Sequence, residues 1–210
     1  MKTLVQTLFA SALVAISLSS FTANASEKIN TATMISTPAT GILKVIVKGN
    51  AKVTLVQSEK ESVKVIDAYN NDRTSIKMVG GTLMINSTEI EPVEITVFVK
   101  NLFRIEAFNN ATVQTKGAFN LQFLQVILND KAKANINACT KGLYTMVKGN
   151  ANLRLTGTSD EHILIRSKVS KLQMEDFACL KTNDTYFETA ENTLAKDTVK
   201  TVSLHGLKSK

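Results

Sequence analysis

The chain has 210 residues, a formal net charge of +7, 44% apolar residues and no Trp. A modest positive balance suits acidic partners, but no helix-turn-helix, zinc-finger or base-stacking aromatic pattern is present, so nucleic acid is excluded as an expected partner. Two histidines, without a His-Glu-x-x-His pair, are too few for a typical zinc cluster.

Residues 1–25 read as a cleaved signal peptide. Met1-Lys2 is a short positive start, Leu4 to Phe21 is mostly apolar or small, and Ala23-Asn24-Ala25 offers the small residues that signal peptidase needs. Gln6 and several Ser/Thr residues interrupt the run, which argues against a retained anchor, and Ser26 in place of Cys does not support a lipid anchor. No second long apolar run follows, so the mature chain is expected to have no transmembrane span. Residues 26–40 are Ser/Thr/Ala-rich without apolar alternation and read as a linker.

From residue 41 to about 187 the chain alternates like half-buried strands. Leu43, Val45 and Val47 alternate with Lys44, Ile46 and Lys48; Val53, Leu55, Val63, Val65, Ile76, Met78, Leu83 and Ile85 continue the pattern. Val93, Ile95, Val97 and Val99, then Phe103, Ile105, Leu121, Phe123 and Leu124, and finally Leu143, Leu153, Leu155, Ile163 and Ile165 extend it. Corners fall at Gly49-Asn50, Asn70-Asn71, Gly80-Gly81, Asn109-Asn110, Asn129-Asp130 and Gly149-Asn150, residues that take positive φ at low cost. Residues 188–210 read as a polar C-terminal segment, with Val199, Val202 and Leu204 suited to a last short strand.

A twenty-residue beat runs through this region. Leu43, Val63, Leu83, Phe103, Phe123, Leu143 and Ile163 are all apolar, while Asn50, Asn70, Asn110, Asp130, Asn150 and Ser170 mark a second column of small polar residues, broken by Ile90. Val47-Lys48-Gly49-Asn50-Ala51 also returns verbatim at 147–151. Such a period predicts a right-handed parallel β-helix, a solenoid with about 20 residues per coil over 41–187. Asparagines in register are expected to pass amide hydrogen bonds between coils, a structural role rather than a ligand role. Met78-Val79-Gly80-Gly81-Thr82-Leu83 has the form of a hairpin, which sets antiparallel pairing within 41–100 against one continuous solenoid. The continuous solenoid is the first choice. It places Cys139 and Cys179 in one column, two coils and about 9.6 Å apart, beyond the reach of a disulfide, so two free and mostly buried thiols are expected.

The run Gly41 to Gln57, the elements Glu61-Ser62-Val63-Lys64-Val65 and Gly81-Thr82-Leu83-Met84-Ile85, and the coils after Val97-Phe98-Val99 resemble the auto-transporter adhesin, head GIN domain family of exported bacterial proteins. The resemblance covers roughly residues 40–187. It implies a right-handed parallel β-helix on the exported side of a Gram-negative envelope, in the periplasm or at the outer surface. Family coils commonly carry a Gly-Ser-Gly-Asp type of corner. Here the corners read Asn109-Asn110-Ala111-Thr112, Asn129-Asp130-Lys131-Ala132 and Gly149-Asn150-Ala151-Asn152, which weakens any calcium ladder.

No catalytic, cofactor-binding or metal-binding residue is expected. His162 reads as an exposed structural histidine and His205 has no partner pattern; there is no nucleophile elbow, phosphate loop or dinucleotide fingerprint. Glu89, Glu91 and Glu94 around Pro92 read as solubilising a strand start rather than as an acid–base pair. Asp67, Asp72 and Arg73 read as a corner, and Arg104, Arg154 and Arg166 are too sparse for a polysaccharide-cleaving groove. The glycosylation triplets at Asn86, Asn110 and Asn183 carry little weight in a chain of bacterial character. Lys44, Lys48, Lys52, Lys60, Lys64, Lys131, Lys133, Lys168 and Lys171 are scattered, and read as solvated strand faces in preference to a polyanion site. The leading expectation is a non-enzymatic exported solenoid whose strand faces bind glycan or protein partners at the cell envelope. A periplasmic structural or accessory protein, which calls for no aromatic patch, and a polysaccharide-acting enzyme, which calls for clustered acids, are the alternatives.

Overall fold

The computed structural model describes residues 29–30, 34–35, 41–66 and 69–187. The expected signal peptide, Asp67, His205 and the segment 188–210 lie outside the described residues. The strands are β1 (Ile29–Asn30), β2 (Met34–Ile35), β3 (Lys44–Gly49), β4 (Ala51–Gln57), β5 (Ser62–Val65), β6 (Tyr69–Asn70), β7 (Thr74–Val79) and β8 (Thr82–Ser87). They continue as β9 (Val93–Val99), β10 (Arg104–Ala107), β11 (Thr112–Lys116), β12 (Phe119–Leu128), β13 (Lys133–Val147), β14 (Asn152–Arg166), β15 (Lys171–Gln173) and β16 (Phe177–Tyr186). Within the stretch read as a linker, β1 pairs with β6 and β2 with β5, both antiparallel.

The architecture corrects the solenoid expectation. Fourteen strands form a single sheet of mixed parallel and antiparallel pairs that curls into a half-barrel rather than a repeating β-helix. β3 and β4 follow one another in the chain but are not paired; β11, β13, β12 and β10 lie between them in the strand order. β8 flanks β3 on one side and β10 flanks it on the other; β9 and β11 flank β4 in the same way. The chain therefore builds away from β3–β4, returns after residue 99, and builds in the opposite direction. A twenty-residue step from Leu43 through Val63 and Leu83 to Phe103 consequently counts strands that do not follow one another in space. The Gly80-Gly81 hairpin is present, with β7 antiparallel to β8 and both glycines at positive φ (51° and 75°). β5 also runs antiparallel to β9.

After residue 103 the registers become regular and parallel. Arg104 lies beside Gln125, Gln125 beside Tyr144, Tyr144 beside Ile163, and Ile163 beside Asn183. The corners Gly49, Asn109, Asp130 and Gly149 all adopt left-handed backbone, with φ between 59° and 75°. At Gly49 a Cβ would overlap the Ser87 carbonyl oxygen of the adjoining strand, so the tight corner requires glycine. Corner side chains brace backbone rather than one another. The Asp130 carboxylate accepts the Asn109 N–H at 3.1 Å, and Asn50 Nδ2 donates to the carbonyls of Glu89 (3.2 Å) and Ile90 (2.7 Å). This replaces the expected amide-to-amide ladder.

The core lies inside the curl. Strict alternation puts Val93, Ile95, Val97 and Val99 of β9 inward, and the same rule gives Val53, Ile105, Val113, Val126, Leu128, Ile136 and Leu153. The long strand β13 changes phase at Lys141-Gly142, where two successive residues avoid the core; there it passes from one wall of the sheet to the next. Both thiols are free and half-buried. Register sets Cys139 beside Thr158 and Ala178, one residue away from Cys179.

Candidate functional site

Alternation alone predicts a polar outer face, yet on one wall of the sheet an outward row is mostly apolar, beside a polar row of Lys44, Arg104, Gln125 and Tyr144. On the wall formed by β8, β3, β10, β12, β13 and β14, the outward row reads Met84, Ile46, Glu106, Ile127, Met146 and Ile165. Its only charge, Glu106, is neutralised by Lys44 Nζ at 2.7 Å and Arg104 Nη1 at 3.2 Å. Arg104 Nε also donates to Gln125 Oε1 at 2.6 Å, so the guanidinium is clamped between two neighbours and stiffens the wall.

At the start of these strands the rings emerge. Leu43, Phe103, Phe123 and Ile163 are each about half exposed, at 53%, 47%, 56% and 47%. Together with Gln125, Gly142, Tyr144 and Glu161 the two phenylalanines and Ile163 line an open groove of about 320 Å³. Phe123 lies across Gly142, where an added Cβ would come within 2.8 Å of the ring. Glycine at 142 therefore seats the ring flat against the strand. The groove offers aromatic and aliphatic contact with Gln125, Tyr144 and Glu161 as polar groups, the composition of a recognition site rather than a reacting one.

The acids considered in the sequence serve separate structural tasks. Glu89 accepts the Asn70 N–H at 2.9 Å and faces Arg73 at 3.8 Å; Glu94 pairs with Lys52 at 2.7 Å; Glu91 is exposed. Asp72 donates its backbone N–H to Asn70 Oδ1, as befits the expected corner. Arg154 meets Asp176 at 3.4 Å, and Arg166 meets Asp184 at 2.8 Å. Among the described residues no three His, Cys, Asp or Glu side chains gather as metal ligands.

His162 departs from its reading as an exposed residue. It is 1% exposed and faces the core, where its Nε2 shares a 2.8 Å hydrogen bond with Thr145 Oγ1 and its ring meets Phe177 edge-on at 5.3 Å. Its Nδ1 is buried without a partner. Burial pushes its pKa down to about 4, against a smaller opposing pull from the Asp184 carboxylate. At neutral pH it is an uncharged core residue with no access to a substrate.

The groove itself escaped the sequence reading. Its members Phe103, Phe123 and Ile163 belong to the apolar twenty-residue column, in which Leu43 is also exposed whereas Val63, Leu83 and Leu143 are buried. A usable signal was present in the pairs Ile42-Leu43 and Leu102-Phe103, where two adjacent apolar residues cannot both face inward on one strand.

Among solved structures, the fold resembles a "putative adhesin" from Bacteroides fragilis, with TM-score 0.63, 13% identity and 77% of each chain covered. It also resembles a "putative lipid binding protein" from Parabacteroides distasonis, at TM-score 0.53 and 12% identity over 74% of this chain and 78% of that one. A "putative adhesin" from Parabacteroides merdae matches at TM-score 0.52, 12% identity and the same coverage. These identities establish the fold alone. No curated protein matches the sequence. The family model described as "Putative auto-transporter adhesin, head GIN domain" matches residues 43–184, and the chain belongs to that family.

Proposed function

We propose that the chain is an exported interaction module of a Gram-negative cell envelope, which holds a glycan or protein partner in the groove of Phe103, Phe123, Tyr144 and Ile163. The observation that carries this reading is the half-exposed Phe103, Phe123 and Ile163 gathered in one groove, beside an outward row that is mostly apolar. A solvated face gains nothing from such residues, whereas a docked sugar ring or apolar side chain does. The alternative, a periplasmic structural or accessory protein without a ligand, calls for no such row.

The test is binding of the labelled mature chain to intact envelope surfaces, compared with the double variant Phe103→Ser/Phe123→Ser. Saturable binding that falls to background in the variant supports the reading. Periodate treatment of the surface then separates glycan from protease-sensitive protein targets. Equal binding by both chains, or none by either, overturns it. Protease shaving of intact source cells, with a periplasmic marker as control, distinguishes outer-surface from periplasmic residence.

A further inference from the structure

The neighbouring wall brings together lysines that are dispersed in the sequence. Parallel pairing places Lys52 beside Thr112, Thr112 beside Lys133, Lys133 beside Asn152, and Asn152 beside Lys171. Lys52, Thr112, Lys133 and Asn152 alternate with buried neighbours and therefore point outward, and Lys171 at the end of the row is exposed. Lys52 and Lys133 sit two strands apart, about 9.6 Å between their backbones. Where this row reaches the corners, Lys52, Lys131 and Lys133 converge with Asn110, Thr112 and Pro92 around a cleft of about 370 Å³.

Among the described residues, three lysines line this cleft and no carboxylate does. Lys52 is held by Glu94, at 2.7 Å. Lys131 and Lys133 are exposed and have no carboxylate partner among the described residues. Asp130, at the same corner, is engaged by the Asn109 N–H. The corner backbone is rigid, with Asn109 and Asp130 both locked in left-handed conformation and Asn50 tied to Glu89 and Ile90. Two ammonium groups without a carboxylate partner among the described residues, on a braced, concave surface next to the Thr112 hydroxyl and the Asn110 amide, suit a ligand carrying both anionic groups and hydroxyls. No large apolar side chain lines the cleft that could insert into a lipid layer.

We infer that this cleft is a binding site for an acidic polysaccharide, one whose carboxylate or sulfate groups meet Lys131 and Lys133 while its hydroxyls meet Thr112 and Asn110. It lies at the opposite end of the apolar row's strands from the aromatic groove, and stands independently of it. The site accepts a polymer because the lysine row continues past the cleft to Lys171.

The experiment uses the mature chain with heparin and polygalacturonate as acidic probes, dextran as a neutral polymer, and vesicles containing phosphatidylglycerol. Affinity is measured over a range of NaCl concentrations for wild type, Lys131→Gln/Lys133→Gln, and a control of equal charge, Lys60→Gln/Lys77→Gln. The expected result is binding to at least one acidic polysaccharide, weakened roughly tenfold in the cleft variant with a shallower salt dependence, and unchanged in the control. Dextran and vesicles are expected not to bind. Equal loss in both variants would show a response to net charge only. That outcome, preferential binding to vesicles, or no binding to either acidic polymer overturns the inference. Phe103→Ser/Phe123→Ser is expected to retain acidic-polymer binding, so failure of the groove and failure of the cleft are read separately.

Discussion

On the wall of β3, β10, β12, β13 and β14 the outward row is Ile46, Glu106, Ile127, Met146 and Ile165; on the wall of β4, β11, β13, β14 and β15 it is Lys52, Thr112, Lys133, Asn152 and Lys171. The inward rows hardly differ. Val45, Ile105 and Val126 on the first wall match Val53, Val113, Ala134 and Leu153 on the second, all buried. The interior needs apolar residues on both walls, so it cannot explain why these two outward rows differ. That difference belongs to what each surface meets, and the contrast assigns rings and aliphatic groups to one contact and ammonium groups to another.

The strongest way to break this comparison is to substitute on the two sides of a single strand. Leu124→Ala, on the inner side, is expected to cost about 2–5 kcal/mol, because it empties packed volume. Phe123→Ala, one residue earlier on the outer side, is expected to cost less than about 1 kcal/mol while removing groove binding. Urea unfolding of both variants checks this. A Phe123→Ala loss as large as that of Leu124→Ala would make the ring a structural element and end its assignment to a partner.

Acid sharpens the comparison at the core under the first wall. The folded-state pKa of His162, about 4, lies below its ordinary value of 6.5. The unfolded chain therefore binds the proton more readily, and stability is lost as pH falls from about 6.5 towards about 4. Above that window His162 has no effect; below it the cost reaches about 3 kcal/mol. Asp184, the charged neighbour on β16, offsets part of the burial, and is itself held by Arg166. Comparing wild type with His162→Gln in urea at pH 7 and pH 4 isolates this residue. A difference between the two chains that stays constant with pH would contradict it.

The smallest expected change in stability is also the most local. Gly142→Ala places a methyl group within 2.8 Å of the Phe123 ring and forces it off the strand. Stability should change by less than about 1 kcal/mol, since the ring is exposed and free to swing. The groove should nevertheless lose its shape, visible as a shifted Phe123 ring resonance and weaker partner binding. An unmoved ring would show that the seat on Gly142 does not set the groove.

Much of the fold was readable along the chain because alternation is a local property. Val93 to Val99, Val53 and Leu55, and the corners at Gly49, Asn109 and Gly149 are each specified by side chains within a few residues. Strand order was not, because pairing β3 with both β8 and β10 joins segments far apart in sequence, and every candidate strand carries the same two-residue period. The twenty-residue column mixed buried Leu83 and Leu143 with exposed Phe103 and Phe123 for the same reason: apolarity does not record which side of a sheet a residue faces. The candidate sites were less legible still. Lys52, Lys131 and Lys133 are spread over eighty residues of chain and meet only because β4, β11 and β13 lie side by side.

By itself, then, the amino-acid order determined the alternating strands, the left-handed corners at Gly49, Gly80, Gly81, Asn109, Asp130 and Gly149, and the family, since each depends on short-range pattern. Only the tertiary structure decided that the sheet is mixed and curled, that His162 is buried, that an apolar row lies on one outer wall, and that Lys52, Lys131 and Lys133 share a cleft. Those outcomes depend on which distant strands become neighbours, a choice made by the packing of the whole chain rather than by any one segment.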